Sequence, residues 1–87
     1  MLLEGSIISG EFDEKMNEFS LQRVKHFNVE STIRESQLKA LYSYLTQHQH
    51  DAEGHIITLY DQMPVRLSRE EVNLFISDLK KVQSMYH

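Results

Sequence analysis

The chain has 87 residues, of which 40% are hydrophobic and 25% charged, with no cysteine and a net charge of −4. This length predicts a single domain over residues 1–87 with a modest core, and the lack of cysteine excludes disulfides and thiol chemistry. The acidic balance disfavours extensive binding to a phosphate backbone. Since no long apolar run and no secretory signal pattern are visible, we expect a cytoplasmic protein.

The first third of the chain admits two assignments. Residues 2–12 mix β-branched residues with glycines, which is typical of a strand. Residues 18–29 place apolar side chains at alternate positions, again as a strand does. The competing interpretation is a helix over residues 10–27 with Ser9 as its N-cap. We favour a hairpin whose turn lies near residues 13–17.

A first amphipathic helix is predicted over residues 32–50. Thr32 and Glu35 have the spacing of a capping box, in which each side chain bonds the other residue's backbone N–H. Leucines and a tyrosine then recur every three or four residues and form an inner stripe. Polar residues and Gly54 end this helix.

The remainder of the chain predicts two short strands and a second helix. One strand covers residues 55–60, and residues 65–67 return as a short edge strand after Pro64, which cannot donate to a ladder. Ser68 and Glu71 then form another capping box. The apolar stripe behind this box consists of Val72, Phe75, Ile76, Leu79, Val82 and Tyr86.

These elements predict an α+β fold in the order β-β-α-β-β-α. The economical packing is a small antiparallel or mixed sheet with the two amphipathic helices on one face. The alternative, in which residues 10–27 are helical, is a mostly α domain with one hairpin.

Three histidines lie close together in the middle of the chain, at positions 48, 50 and 55. With Asp51 and Glu53 they supply the imidazole and carboxylate donors that zinc prefers. Their spacing does not fit a helical ligand pair, whose two ligands must lie three or four positions apart. A solvated helix end explains His48, His50 and His55 better, so a metal-dependent enzyme ranks third among our functional interpretations, and no cofactor is expected.

Basic and aromatic residues alternate between positions 19 and 27. On a strand, Phe19, Arg23, Lys25 and Phe27 would share one face, and exposed aromatic rings beside arginine can stack on single-stranded bases. This pattern makes a nucleic-acid-binding regulator the second functional interpretation. The net negative charge of the chain weighs against it.

Both predicted helices carry apolar residues outside their inner stripes. Ile33, Ala40 and Tyr44 align on the first helix, and Leu74 and Met85 share a side of the second. Such secondary strips are typical of a surface that is buried against another protein, either a second copy or a different partner. We therefore expect a small non-catalytic regulatory or adaptor protein, of the kind found among bacterial or phage accessory proteins, acting as a homodimer.

Overall fold

The computed structural model describes residues 1–50, 55–58 and 64–87. Four antiparallel strands form a sheet in the spatial order β1 (Leu2–Glu4), β2 (Ile8–Asp13), β3 (Glu18–Val24) and β4 (Phe27–Arg34). The chain continues through α1 (Glu35–Gln47), a two-stranded hairpin of β5 (His55–Thr58) and β6 (Pro64–Leu67), and α2 (Arg69–Gln83). The predicted α+β class is confirmed, with two more strands in the first half of the chain than the predicted order contains.

The predicted strand over residues 2–12 is divided into β1 and β2 by a tight bend. The Gly5 N–H donates to the Ile8 carbonyl at 2.8 Å, which reverses the chain. The bend turns the backbone N–H groups of Ser6 to Ile8 toward α2. An uninterrupted strand could not present three successive N–H groups to one neighbour, because they alternate in direction along a strand.

The turn predicted at residues 13–17 joins β2 to β3 and is confirmed. The single strand predicted over residues 18–29 is wrong, because a second turn at Lys25 and His26 separates β3 from β4. Lys25 has a φ of 58°, a conformation that usually selects glycine or asparagine. The turn therefore carried no sequence signal. The helical alternative for residues 10–27 is also wrong, since most of that segment lies in β2 and β3.

Helix α1 begins three residues later than predicted. Thr32 and Ile33, both β-branched, belong to β4 and pair with residues of β3. The predicted capping box of Thr32 and Glu35 is therefore wrong. The Gln37 side chain instead reaches back to the strand end, where its Oε1 accepts the Arg34 N–H at 2.9 Å.

Helix α2 begins where the sequence predicts. The Ser68 Oγ accepts the Glu71 N–H at 3.1 Å, and the Glu71 Oε1 accepts the Ser68 N–H at 2.8 Å. The whole predicted stripe is buried, from Val72 to Tyr86. Two orphan donors at the helix start are satisfied by this pair of side chains.

One hydrophobic cluster joins the inner face of the sheet to both helices and to β6. The Tyr86 ring meets the Phe12 ring edge to face, with centroids 5.0 Å apart. Its hydroxyl donates to the Ile33 carbonyl at 2.6 Å. Burial raises the pKa of Tyr86 to about 12. The residues just after α2 are thereby fixed to both the second and the fourth strand.

Candidate protein-binding surfaces

The predicted partner-binding residues fall into three different environments. Ala40 is exposed on α1, and Tyr44 and Leu74 keep 39% and 38% of their surface exposed on the two helices. Met85 is half-buried and packs against the core. Ile33 lies in β4 and is 1% exposed, so its placement on a helical strip is wrong. We call Ala40, Tyr44 and Leu74 the helix strip.

The helix strip is carried by two helices that pack against each other. The Tyr44 ring also contacts the His48 ring, with centroids 4.8 Å apart. The buried stripes of both helices already face the core, so burying the strip requires a surface outside the protomer. Tyrosine is among the residues that most often carry the binding energy of protein interfaces, so Tyr44 is the natural anchor of this strip.

The basic-aromatic segment does not form the predicted face. Phe19 is 1% exposed in the core, so its ring is unavailable for base stacking. Arg23 turns back onto the protein, where its Nε donates to the Ser9 Oγ at 3.2 Å and its Nη1 donates to the Lys25 carbonyl. The turn at Lys25 separates the side chains that a continuous strand would have aligned.

Lys25 links the tip of the β3–β4 hairpin to the start of α2. Its Nζ donates to the Arg66 carbonyl at 3.0 Å and lies 3.1 Å from the Glu71 carboxylate. The Ser68 backbone N–H, with Lys25 beside it, holds the pKa of the Glu71 carboxyl below its usual value. The ammonium is thus engaged by its own protein.

The structure describes only part of the histidine group at positions 48–55. His48 is the C-cap of α1, where its backbone N–H donates to the Leu45 carbonyl at 3.1 Å. His50 is exposed, while Asp51, Glu53 and the side chain of His55 lie outside the described residues. Within the described part of the chain, no three His, Cys, Asp or Glu side chains are grouped closely enough to hold a metal ion.

The fourth strand has an edge with which no described strand pairs. Among the described residues, β4 pairs only with β3, where six of its eight residues have a partner and the register shifts once, between Leu21 and Arg23. The Arg34 N–H bonds the Gln37 side chain and not β3. Because backbone groups alternate in direction along a strand, the N–H and C=O groups of Thr32, Glu30 and Asn28 also point away from β3. We call these outward-pointing groups, from Asn28 to Arg34, the β4 edge.

Sequence reasoning missed the β4 edge, although a signal was present. Residues 27–34 alternate between buried or half-buried side chains and exposed ones, which is the period of a strand with one face in the core. The exposed members are Asn28, Glu30, Thr32 and Arg34. The apparent capping box at Thr32 concealed the second half of this pattern.

A buried carboxylate was also missed. Asp78 on α2 is 0% exposed and accepts the N–H groups of Ser6, Ile7 and Ile8 at 3.0, 2.8 and 3.1 Å. Its position three residues after Phe75 places it on the buried face of the helix. A carboxylate on that face needs several donors, and the bend after β1 supplies them. This contact is a structural anchor between the two ends of the chain.

No protein-family model, curated protein or solved structure that we compared with the chain matches it. No helix in the described parts of the chain is long and apolar enough to cross a membrane.

Proposed function

We propose that this chain is a small non-catalytic regulatory or adaptor protein of the cytoplasm that acts by binding protein and works as a homodimer. The observation that carries the proposal is the helix strip, where Tyr44 and Leu74 remain more than a third exposed although each helix already packs an inner stripe against the core. An 87-residue domain without disulfides also gains stability from association.

The nucleic-acid alternative receives less support from the arrangement of side chains. The two basic residues of segment 19–27 are engaged within the protein, and Phe19 belongs to the core. A base-stacking surface requires exposed rings beside cations that can reach phosphate. Protein binding through the helices requires no rearrangement of this kind.

The experiment compares wild type with Tyr44→Glu and Leu74→Glu. A charge placed at the centre of a buried interface is desolvated without a partner, so each substitution should weaken partner binding by at least about tenfold. Immobilised protein is used to capture partners from a lysate of the source, and the captured protein is then titrated against each purified variant. Circular dichroism checks that the variants stay folded.

Two exposed neighbours serve as matched controls. Ser43→Glu and Asn73→Glu add the same charge one residue before each strip position, on a different side of the helix. Binding that is lost in the strip variants and kept in the controls supports the proposal. Binding that is equal in all four variants would exclude the helix strip, and the absence of both a partner and self-association would contradict the proposed function.

A further inference from the structure

The two edges of the four-stranded sheet differ in length. Strand β1 has three residues and ends at the bend fixed by Asp78, whereas β4 has eight residues. An edge strand of that length presents a row of backbone donors and acceptors that can pair with another chain. Short edge strands offer too few groups for stable pairing. The β4 edge is therefore the place where this sheet can be extended.

We propose that a second copy of the chain adds to the β4 edge in antiparallel orientation, with Thr32 of one copy opposite Thr32 of the other. The two sheets would then form one continuous sheet about a two-fold axis at Thr32. This inference rests on the homodimer of the proposed function and names its interface. The helix strips of both copies are left available for a partner.

The backbone geometry fits such a pairing over residues 30–34, the part of β4 that this register aligns with itself. Thr32 has both its N–H and its C=O directed outward, so the two copies of Thr32 can exchange a pair of hydrogen bonds. The Glu30 N–H of each copy then faces the Arg34 carbonyl of the other. The Arg34 N–H is already bonded to Gln37 and is not needed. Two-fold symmetry makes every contact occur twice.

Charge selects this register over its neighbours. With Thr32 opposite Thr32, each Glu30 lies opposite Arg34 of the other copy, which is a favourable cross-strand pair. A shift that centres the axis on Glu30 would place two carboxylates opposite each other. A register centred on Ser31 would leave Glu30 facing a threonine. A register shifted by one residue would place the exposed side chains of one strand beside the core-facing side chains of the other.

Arg34 is able to make the intermolecular pair without losing its present one. Its side chain is 73% exposed, and its Nε bonds the Glu18 carboxylate of β3 at 2.9 Å. Arginine carries five N–H donors in a fork, so the remaining donors can bind a second carboxylate. Arg34 would then join Glu18 of its own chain to Glu30 of the other copy.

The test uses charge reversal with recombination. Analytical ultracentrifugation measures the dimer dissociation constant for wild type, Glu30→Arg and Arg34→Glu. Either substitution alone sets like charges opposite each other twice and should weaken the dimer by at least about tenfold. An equimolar mixture of the two variants recreates both opposite-charge pairs and should recover a heterodimer of nearly wild-type affinity. Glu11→Arg makes the same charge change on β2 and should have little effect.

A second test concerns the backbone. Thr32→Pro removes the outward N–H while leaving the ladder to β3 intact, because Thr32 does not donate to β3. It should abolish the dimer, whereas Thr32→Val keeps the N–H and should preserve it. Circular dichroism verifies the fold, and the recombination test remains decisive if the proline variant unfolds.

The outcomes separate this inference from the function on which it rests. A wild type that dimerises with an affinity unchanged by Glu30→Arg, Arg34→Glu and Thr32→Pro would overturn the β4 interface and keep the homodimer. A wild type that stays monomeric at high micromolar concentration would remove both, and the helix strip would still be judged by its own variants. Failure of the mixture to recover affinity would overturn the register centred on Thr32.

Discussion

Removal of the Asp78 carboxylate is expected to destabilise the protein strongly while leaving its surface intact. Asp78 is completely buried and receives three backbone N–H groups from the bend between β1 and β2. In Asp78→Ala these donors lose their acceptor while remaining within the protein. The bend is 70 residues or more from Asp78 in sequence, so the contact also joins the two ends of the chain.

The magnitude follows from the number of donors left without a partner. A buried donor that loses its acceptor costs about 1–3 kcal/mol. The part-buried Ser6 N–H costs less than the other two donors, because water can reach it when the bend relaxes. With two buried donors and one part-buried donor affected, we expect Asp78→Ala to lower the free energy of unfolding by about 3–5 kcal/mol. Since small domains have about 5–15 kcal/mol in total, much of the stability would be lost.

Asparagine gives a graded test at the same position. The Ile7 and Ile8 N–H groups both bond Oδ2, whereas the Ser6 N–H bonds Oδ1. An amide oxygen placed at Oδ2 would keep two bonds and set its NH₂ group against the Ser6 N–H. Asp78→Asn should therefore cost about 1–3 kcal/mol, less than alanine.

Gly5 provides an independent check of the same contact. A Cβ at this position would lie 2.5 Å from the Asp78 carboxyl carbon, so Gly5→Ala must displace the carboxylate or the bend. If the clash is with Asp78, Gly5→Ala should cost less in the Asp78→Ala background than in wild type. A double-mutant cycle from urea melts measures this coupling.

Hydrogen exchange localises the effect. The amides of Ser6, Ile7 and Ile8 should lose protection in Asp78→Ala before the amides of the central strands. Lys81→Ala serves as the control, because its exposed ammonium lies 3.8 Å from the same carboxylate and should contribute less than about 1 kcal/mol. An Asp78→Ala protein with wild-type stability and protected amides in the bend would refute the reasoning.

Three further changes test other contacts. Ser68→Ala removes the acceptor for the Glu71 N–H and should cost about 1 kcal/mol in a denaturant melt; no change would mean that this cap does not stabilise α2. Lys25→Met removes the link to Arg66 and Glu71 and should cost about 1 kcal/mol at low salt and less at high salt, whereas a salt-independent loss would argue against an ion pair. Burial raises the pKa of Tyr86 from 10.0 to about 12. The neutral phenol therefore contributes its full stabilisation below about pH 10, and this contribution is lost as the pH rises through 12. From about pH 9 to 11, wild type should therefore lose about 1.4 kcal/mol more than Tyr86→Phe, and parallel pH profiles would contradict this.

The last helix could be predicted because its signals are local. A capping box depends on residues three positions apart, and an apolar stripe depends on spacing within one helix. Both were read correctly from Ser68 to Tyr86. The turn at residues 13–17 was predicted for the same reason, since its Asp13 Oδ1 accepts the N–H groups of Lys15 and Met16 within the turn itself.

The errors arose where distant contacts decide the local structure. The bend at Ser6–Ile8 is held by the local bond from Gly5 to Ile8 and by Asp78, which accepts three N–H groups from the far end of the chain. The turn at Lys25 uses a positive φ without glycine, and its lysine is bound by Glu71 and Arg66. In both places the partner lies more than 40 residues away, so a local pattern could not reveal the turn.

The β4 edge was not predicted because Thr32 and Ile33 were assigned to a helix. Thr32 stands three residues before a glutamate, which satisfies the capping pattern, yet pairing with β3 keeps the chain extended for two more residues. Buried and exposed side chains alternate along β4, as they do in a strand with one face in the core and one polar face. A strand of this kind would usually be interior or shortened at a sheet edge, as β1 is. A threonine with a glutamate two residues before it and an arginine two residues after it has the symmetry that an antiparallel partner of identical sequence requires. The arrangement of residues 30–34 therefore favours a second copy of the chain over an unrelated strand. The charges of an unrelated strand need not be opposite to those of Glu30 and Arg34 at the facing positions.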